Sequence, residues 1–204
     1  VAVRNSDLFV SAPVFSEKGM LESLWHDYKV SYIEEGTGRA LDKDMDNITT
    51  SEGQSYTLLR AVWIDDKPTF DLALKWTVEN LARKEDHLSS WLFGKKADGT
   101  YGVLTDRGGY NSATDADTDI ALALIFAERR WGDGAYGDRA QDILKSVWEK
   151  SVVIVKGVPY LAANNLEKVS SQDPIVNPSY LSPYAYRIFA DFDKEHDWMA
   201  LVDS

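Results

Sequence analysis

The stretch NSATDADTDIALALIFAERRW, Asn111–Trp131, decides the fold. From Ile120 almost every position is apolar until Glu128, so a helix over this run has no face left for water and belongs to an inner layer. Just before the run stand Asp115, Asp117 and Asp119 at alternate positions. A calcium loop opens with that spacing, but its sixth position needs Gly and holds Ile120, and its twelfth needs Glu and holds Phe126. A magnesium-binding acidic motif, with DDKPTFD at Asp65–Asp71 as a second arm, fares little better, because on a helix Asp115 and Asp119 share a face while Asp117 points away. The plain alternative is that Thr114 or Asp115 caps the helix and the other carboxylates favour its positive end.

Working outward, helical periodicity dominates. Phe70, Leu74, Thr77, Val78 and Leu81 mark one buried face after Pro68, and Ala140, Ile143, Leu144, Val147 and Trp148 mark another. Further helices are predicted over Glu17 to Tyr28, Ser51 to Ile64 and Tyr180 to Phe192, about seven in all, with an extended segment around Val152 to Leu161. The class is mainly α. Lys84 to Thr114 reads as a long loop, which in a compact domain usually carries function.

The 204 residues suit one domain with a packed core, since hydrophobic residues are 44% and charged ones 27%. A net charge of −11 repels phosphate backbones and anionic lipid, so nucleic acid is an unsuitable partner. No apolar run nears the ~20 residues that span a bilayer, and VAVRNSDLFV lacks the features of a signal peptide. Without Cys, and with His26, His87 and His196 far apart, neither thiolate nor zinc-type chemistry is indicated, and no metal or other cofactor is called for.

A second carboxylate lies in the same kind of place as Asp115: Glu52 directly follows Ser51 at a loop-to-helix junction. Two acids facing each other across a cleft suit glycosidic hydrolysis, where one protonates the leaving oxygen while the opposite face of the sugar receives water or a nucleophile. Seven Trp and ten Tyr supply rings that stack on sugars. An acid at a helix N-terminus holds its proton near neutral pH only if desolvated, so this reading requires Glu52 to be buried.

At these residues the chain resembles the family 8 glycoside hydrolases. ATDADTDIALALIFAERRW fits that family's signature throughout, SEGQSY at Ser51–Tyr56 fits a second block, FDLALKWTVENL looks like a third, and NPSYLSP at Asn177–Pro183 a fourth. LSSWLFG at Leu88–Gly94 and GVLTDRGGYNSATDAD are similar to endoglucanases associated with bacterial cellulose synthesis, and the likeness runs from about Thr50 to the end. Departures are Thr57, where the family usually has Gly, and the added length of DRGG; both suggest a cleft shaped for something other than plain cellulose.

The resemblance implies an (α/α)6 barrel and an inverting reaction on β-1,4-linked polysaccharide. Glu52 resembles the general acid, Asp115 the carboxylate that binds and distorts the sugar beside the scissile bond, Tyr180 the tyrosine near the attacking water, Trp91 a stacking platform and Asn111 a hydroxyl contact. Asp117 and Asp119 are assigned to structure, Asp117 by tying the helix start to a neighbouring loop. In many members the general base lies well beyond the NPSY block, and Asp191, Asp193, Asp197 and Asp203 sit in no matching motif. Six hairpins need twelve helices, so the expectation is the N-terminal portion of a barrel, completed by a missing C-terminal segment or a second chain. The competing function is a non-catalytic carbohydrate-binding or scaffold protein. An extracellular or periplasmic location follows from a polymeric substrate.

Overall fold

The computed structural model describes residues 16–170 and 175–203. The stretch Val1–Val10, read above for targeting features, lies outside them. The chain runs α1 (Glu17–Tyr32), β1 (Thr49–Thr50), α2 (Ser51–Trp63), α3 (Lys67–Leu81), β2 (Leu92–Lys95), β3 (Tyr101–Val103), α4 (Thr114–Trp131), α5 (Gly134–Ser151), β4 (Val152–Val155), β5 (Val158–Leu161), α6 (Glu167–Ser170) and α7 (Pro183–Phe192). Among the described residues, no helix is long and apolar enough to cross a membrane.

The helices alternate between an outer and an inner layer. Along α4, every residue from Ala121 to Ile125 is fully buried, as its unbroken apolar pattern requires. It packs on α2 and α5 most extensively and also touches α7. The α2 residues Leu58, Ala61 and Val62 and the α7 residues Ala185, Tyr186 and Phe189 are buried in the same cluster. Around this inner wall, α3 buries Phe70, Ala73, Thr77 and Leu81, and α5 buries Ala140, Ile143, Leu144 and Val147, each leaving its opposite face to water. Outer α1, α3 and α5 paired with inner α2, α4 and α7 make up part of an (α/α)6 barrel.

Local chemistry sets the boundaries. Asp66 caps α3 by accepting from the Thr69 N–H at 3.1 Å, with Pro68 in the first turn, where a missing N–H costs nothing. Gly132 takes φ 72° to end α4, and Asp133 starts α5 at once. The expected helix from Tyr180 begins only at Pro183. Residues Pro178–Tyr180 form a separate 3-10 turn capped by Asn177, because a proline ring in the interior of a helix collides with the carbonyl one turn back. At the other end α1 outruns its expected limit of Tyr28 to reach Tyr32.

The long segment before α4 is a loop only in part. It carries β2 and β3, which pair antiparallel with each other, and β2 also pairs with β1. Two to four residues per strand are too few for periodicity to reveal. The DRGG insertion folds underneath β2, where Gly109 accepts from the Leu92 N–H at 3.2 Å and a Cβ on it would meet the carbonyl oxygens of Leu92 and Leu104. The hydroxyl of Thr57 donates to the Gly53 carbonyl and meets Tyr28 Oη at 3.1 Å. Both departures from the family pattern are thus anchored by packing contacts.

Gln54 locks the first hairpin to the second. Fully buried, its Oε1 accepts from the Ala40 N–H at 2.5 Å, and its Nε2 donates to the Ala73 carbonyl and to Thr77 Oγ1 at 3.2 and 2.9 Å. Gln54→Leu strands these partners without water, so unfolding in urea is expected to show a loss of about 2–3 kcal/mol with an unchanged m-value. A loss under about 0.5 kcal/mol, the range of ordinary surface changes, contradicts this role.

Candidate active site

Three inner-helix N-termini converge on one end of the barrel. Glu52 is the second residue of α2, Asp115 the second residue of α4, and Tyr180 lies just before α7. Their side chains, with Tyr56, Thr118 and Asp119, line a cavity of about 230 Å³. Each wall is positioned by its own local device. Thr50 caps α2 through the Gly53 N–H at 3.0 Å, aiming Glu52 inward, and Asn177 Oδ1 accepts from the Ser179 N–H at 3.1 Å, turning Tyr180 towards the carboxylates.

Neither residue expected to cap α4 does so. Ala113 occupies the cap with no side-chain hydrogen bond, and Thr114 Oγ1 is buried without a partner among the described residues. Instead the Asp117 N–H is held by the Ala113 carbonyl at 3.1 Å, and the Asp115 carboxylate is free to face the cavity. Its Oδ1 is buried and has no hydrogen-bond partner among the described residues. Burial, with the Glu52 charge adding to it, pushes Asp115 up to about 6 against the pull of the Ala116 N–H.

Asp119 corrects the sequence reading. One turn after Asp115, it lines the same cavity, and burial together with the Asp115 and Glu52 charges raises it to about 6. Three carboxylates in one small polar chamber repel one another, so the chamber retains protons in mildly acidic solution. Burial and the charges of Asp115 and Glu52 likewise push the Tyr180 hydroxyl above its usual value.

Asp117 lies on the opposite face, fully buried, and its Oδ1 accepts from the Ser89 N–H at 2.9 Å. It ties α4 to the loop before β2, as the sequence suggested. The other acidic motif, at Asp65–Asp71, is turned to structural work: Asp66 accepts from Trp25 Nε1 and Lys29 Nζ, both at 2.8 Å, and Asp71 accepts from Lys67 and Tyr136.

Trp91 and Asn111 stand outside the chamber. The Trp91 carbonyl accepts from the Ser51 N–H at 3.0 Å and its N–H donates to the Asn111 carbonyl at 2.9 Å, so its main chain straps the start of α2 to the approach of α4. Its ring packs on Ile48, Leu92 and Leu104 with Nε1 on the Gly108 carbonyl at 3.0 Å. Asp193 is a structural hub far from any cleft role. Burial works to raise it, but donors on Trp198, His196 and Gln141 hold it below the usual carboxylate range.

Burial of Glu52 is not found. The side chain is exposed at the open rim, and Tyr56 Oη donates to its Oε1 at 2.6 Å. Sequence reasoning missed Tyr56, although four residues along a helix from an acid is the spacing at which side chains meet.

The sequence model of glycosyl hydrolases family 8 matches residues 8–204. The chain belongs to glycosyl hydrolase family 8. Among similar proteins, the endoglucanase of Escherichia coli strain K12 is 36% identical over 172 residues, covering 82% of this chain and 45% of its own length. That of Pseudomonas fluorescens strain SBW25 is 33% identical over 193 residues, 89% of this chain and 46% of the relative. The crystal structure of endoglucanase Cel10, a family 8 glycosyl hydrolase from Klebsiella pneumoniae, superposes with a TM-score of 0.80 at 29% identity, over 89% of this chain and 56% of that one. The endo-1,4-D-glucanase of Vibrio fischeri ES114 gives 0.78 at 32% identity, over 88% and 52%. This family 8 chain thus spans about half the length of the curated relatives it matches.

Proposed function

We propose that the chamber belongs to an inverting glycoside hydrolase acting on β-1,4-linked glucan, with Glu52 as general acid and Asp115 binding the sugar beside the scissile bond. The observation that carries it is the convergence of Glu52, Asp115 and Tyr180 from three helix N-termini on one cavity. The family membership and the endoglucanases it resembles support the substrate class. Hydrolysis needs a proton on the departing oxygen and a sugar held distorted; Glu52 at the rim can reach the former, and Asp115 with its unpaired Oδ1 can grip a ring hydroxyl. Exposed as it is, Glu52 depends on a bound sugar ring to exclude water from its carboxyl. Trp91 and Asn111 serve as outer sugar contacts in this reading. A polymer of this kind is met outside the cell or in the periplasm.

A second reading rests on the C-terminal aspartates: Asp191, Asp193, Asp197 and Asp203 all lie off the cavity lining, so none stands as general base there. The chain then binds glycan without turning it over. Proton NMR of cello-oligosaccharide digests separates the two. Hydrolysis is expected to release the α-anomer first; β-anomer first overturns inversion. Chemical-shift perturbation on oligosaccharide addition without any product favours the binding reading, and neither binding nor release on β-glucan, xylan or chitosan overturns both.

A further inference from the structure

We propose that Tyr56 is a positioning residue that decides which oxygen of Glu52 carries the proton given to the leaving group. This rests on the reading of Glu52 as the acid. A tyrosine hydroxyl has one proton, and here it is committed to Oε1 at 2.6 Å. Oε1 therefore remains an acceptor, and the carboxyl's own proton must sit on Oε2, the oxygen left to face the substrate. Without that bond an exposed glutamate at a helix start samples several rotamers and presents either oxygen. After the proton departs, the same bond is charge-assisted and steadies the carboxylate that forms. Tyr56 does not lose its own proton in the process, because the bond to Glu52 and partial burial push its hydroxyl far above its usual value.

The ring is itself held in place. Positions 52, 56 and 60 share one face of α2, and the Arg60 guanidinium lies 5.2 Å from the Tyr56 ring and 4.9 Å from the Tyr28 ring. Arg60 also donates to the Tyr56 carbonyl at 3.0 Å. Tyr28 stacks on Trp25 with centroids 5.5 Å apart and planes at 14°, and Trp25 is pinned by Asp66. A column of rings thus runs from a buried tryptophan out to the acid. The charged and titratable groups lining the cavity and groove with Glu52 include Asp115 and Asp119 from α4, Tyr180 from the turn before α7, Tyr28 and Tyr32 from α1, and Asp42, Lys43 and Asp44. Tyr56, beside them, donates to the Glu52 carboxylate itself.

The test compares Tyr56→Phe with wild type and uses Glu52→Gln as reference. Phe keeps the ring under Arg60, and a thermal melt checks the fold. With carboxyl-labelled glutamate, the resonance lost in Glu52→Gln is that of Glu52, and its titration midpoint is expected to move to higher pH in Tyr56→Phe by about half a unit or more, since a donor to the ionised form has gone. On cello-oligosaccharides, kcat is expected to fall about tenfold with KM changed by less than about twofold. The basic limb of kcat/KM should move up with the resonance. An unmoved midpoint overturns the proposal, as does a fall in kcat with an unmoved limb, which is what simple loosening of the helix gives. If Glu52→Gln itself retains full hydrolysis, the acid reading has failed, and the titration still decides whether Tyr56 orients that carboxyl.

Discussion

Glu52→Gln is expected to lower kcat on a β-1,4-glucan by about 10³-fold, within the span of general-acid catalysis, while oligosaccharide binding and thermal stability stay near wild type. The leaving group of a glucan is a sugar alkoxide, which cannot depart unaided near neutral pH, so the whole cost of losing the proton falls on the chemical step; a factor of that size is about 4 kcal/mol in the barrier. Glutamine keeps the volume of the side chain and an oxygen to accept from Tyr56, so geometry is preserved and chemistry alone is removed. The same argument gives the control. A dinitrophenyl cellobioside carries a leaving group that needs no protonation, and on it the variant is expected to recover most of its rate. Equal damage on both substrates means Glu52 does something other than proton donation; no damage on either sinks its catalytic role. Addition of a chelator should change neither result, and abolition of activity by chelator would return the aspartate cluster to contention as a metal site.

The inner position of α4 was legible because a run with no polar face has one place to go, and the placement of Glu52 and Asp115 at helix starts was legible because loop-to-helix junctions are marked by Ser51 and Thr114. What sequence could not show was which carboxylates line one cavity. Asp115 and Asp119 stand one turn apart on a shared face, yet whether that face meets the cavity depends on how far α2 and the turn at Tyr180 approach it, a tertiary distance that no local pattern encodes. For the same reason the burial demanded of Glu52 failed: its helix starts at the rim, and rim depth is set by neighbouring elements. The small β1–β2–β3 sheet was hidden by brevity, and the late start of α7 was visible in principle, since Pro183 can stand only in a first helical turn.

Asp117→Asn is expected to flatten the fall in stability between pH 6 and 8. Burial drives the Asp117 carboxyl up to about 8, with the nearby Asp86 charge assisting and Arg83 and the Ser89 N–H opposing. In the unfolded chain the same group titrates near about 3.9. Between those values the folded state holds one proton more than the unfolded state, so this stabilisation is complete below about pH 4 and is lost as pH rises through about 8. Integrated over pH 6 to 8, the loss is about 2 kcal/mol. Asp115 and Asp119, raised to about 6, act in the same direction but finish near pH 7, while Asp66, lowered to about 2, acts with the opposite sign in acid. Asparagine stays neutral and keeps an oxygen for the Ser89 N–H, at the cost of an amide where the unpartnered Oδ2 now lies. The difference in stability should therefore shift in favour of the variant by about 2 kcal/mol between pH 6 and pH 8. Parallel curves would mean that Asp117 is not the titrating group. Asp117→Ala, which leaves the Ser89 N–H unpaired, should be less stable than Asp117→Asn throughout.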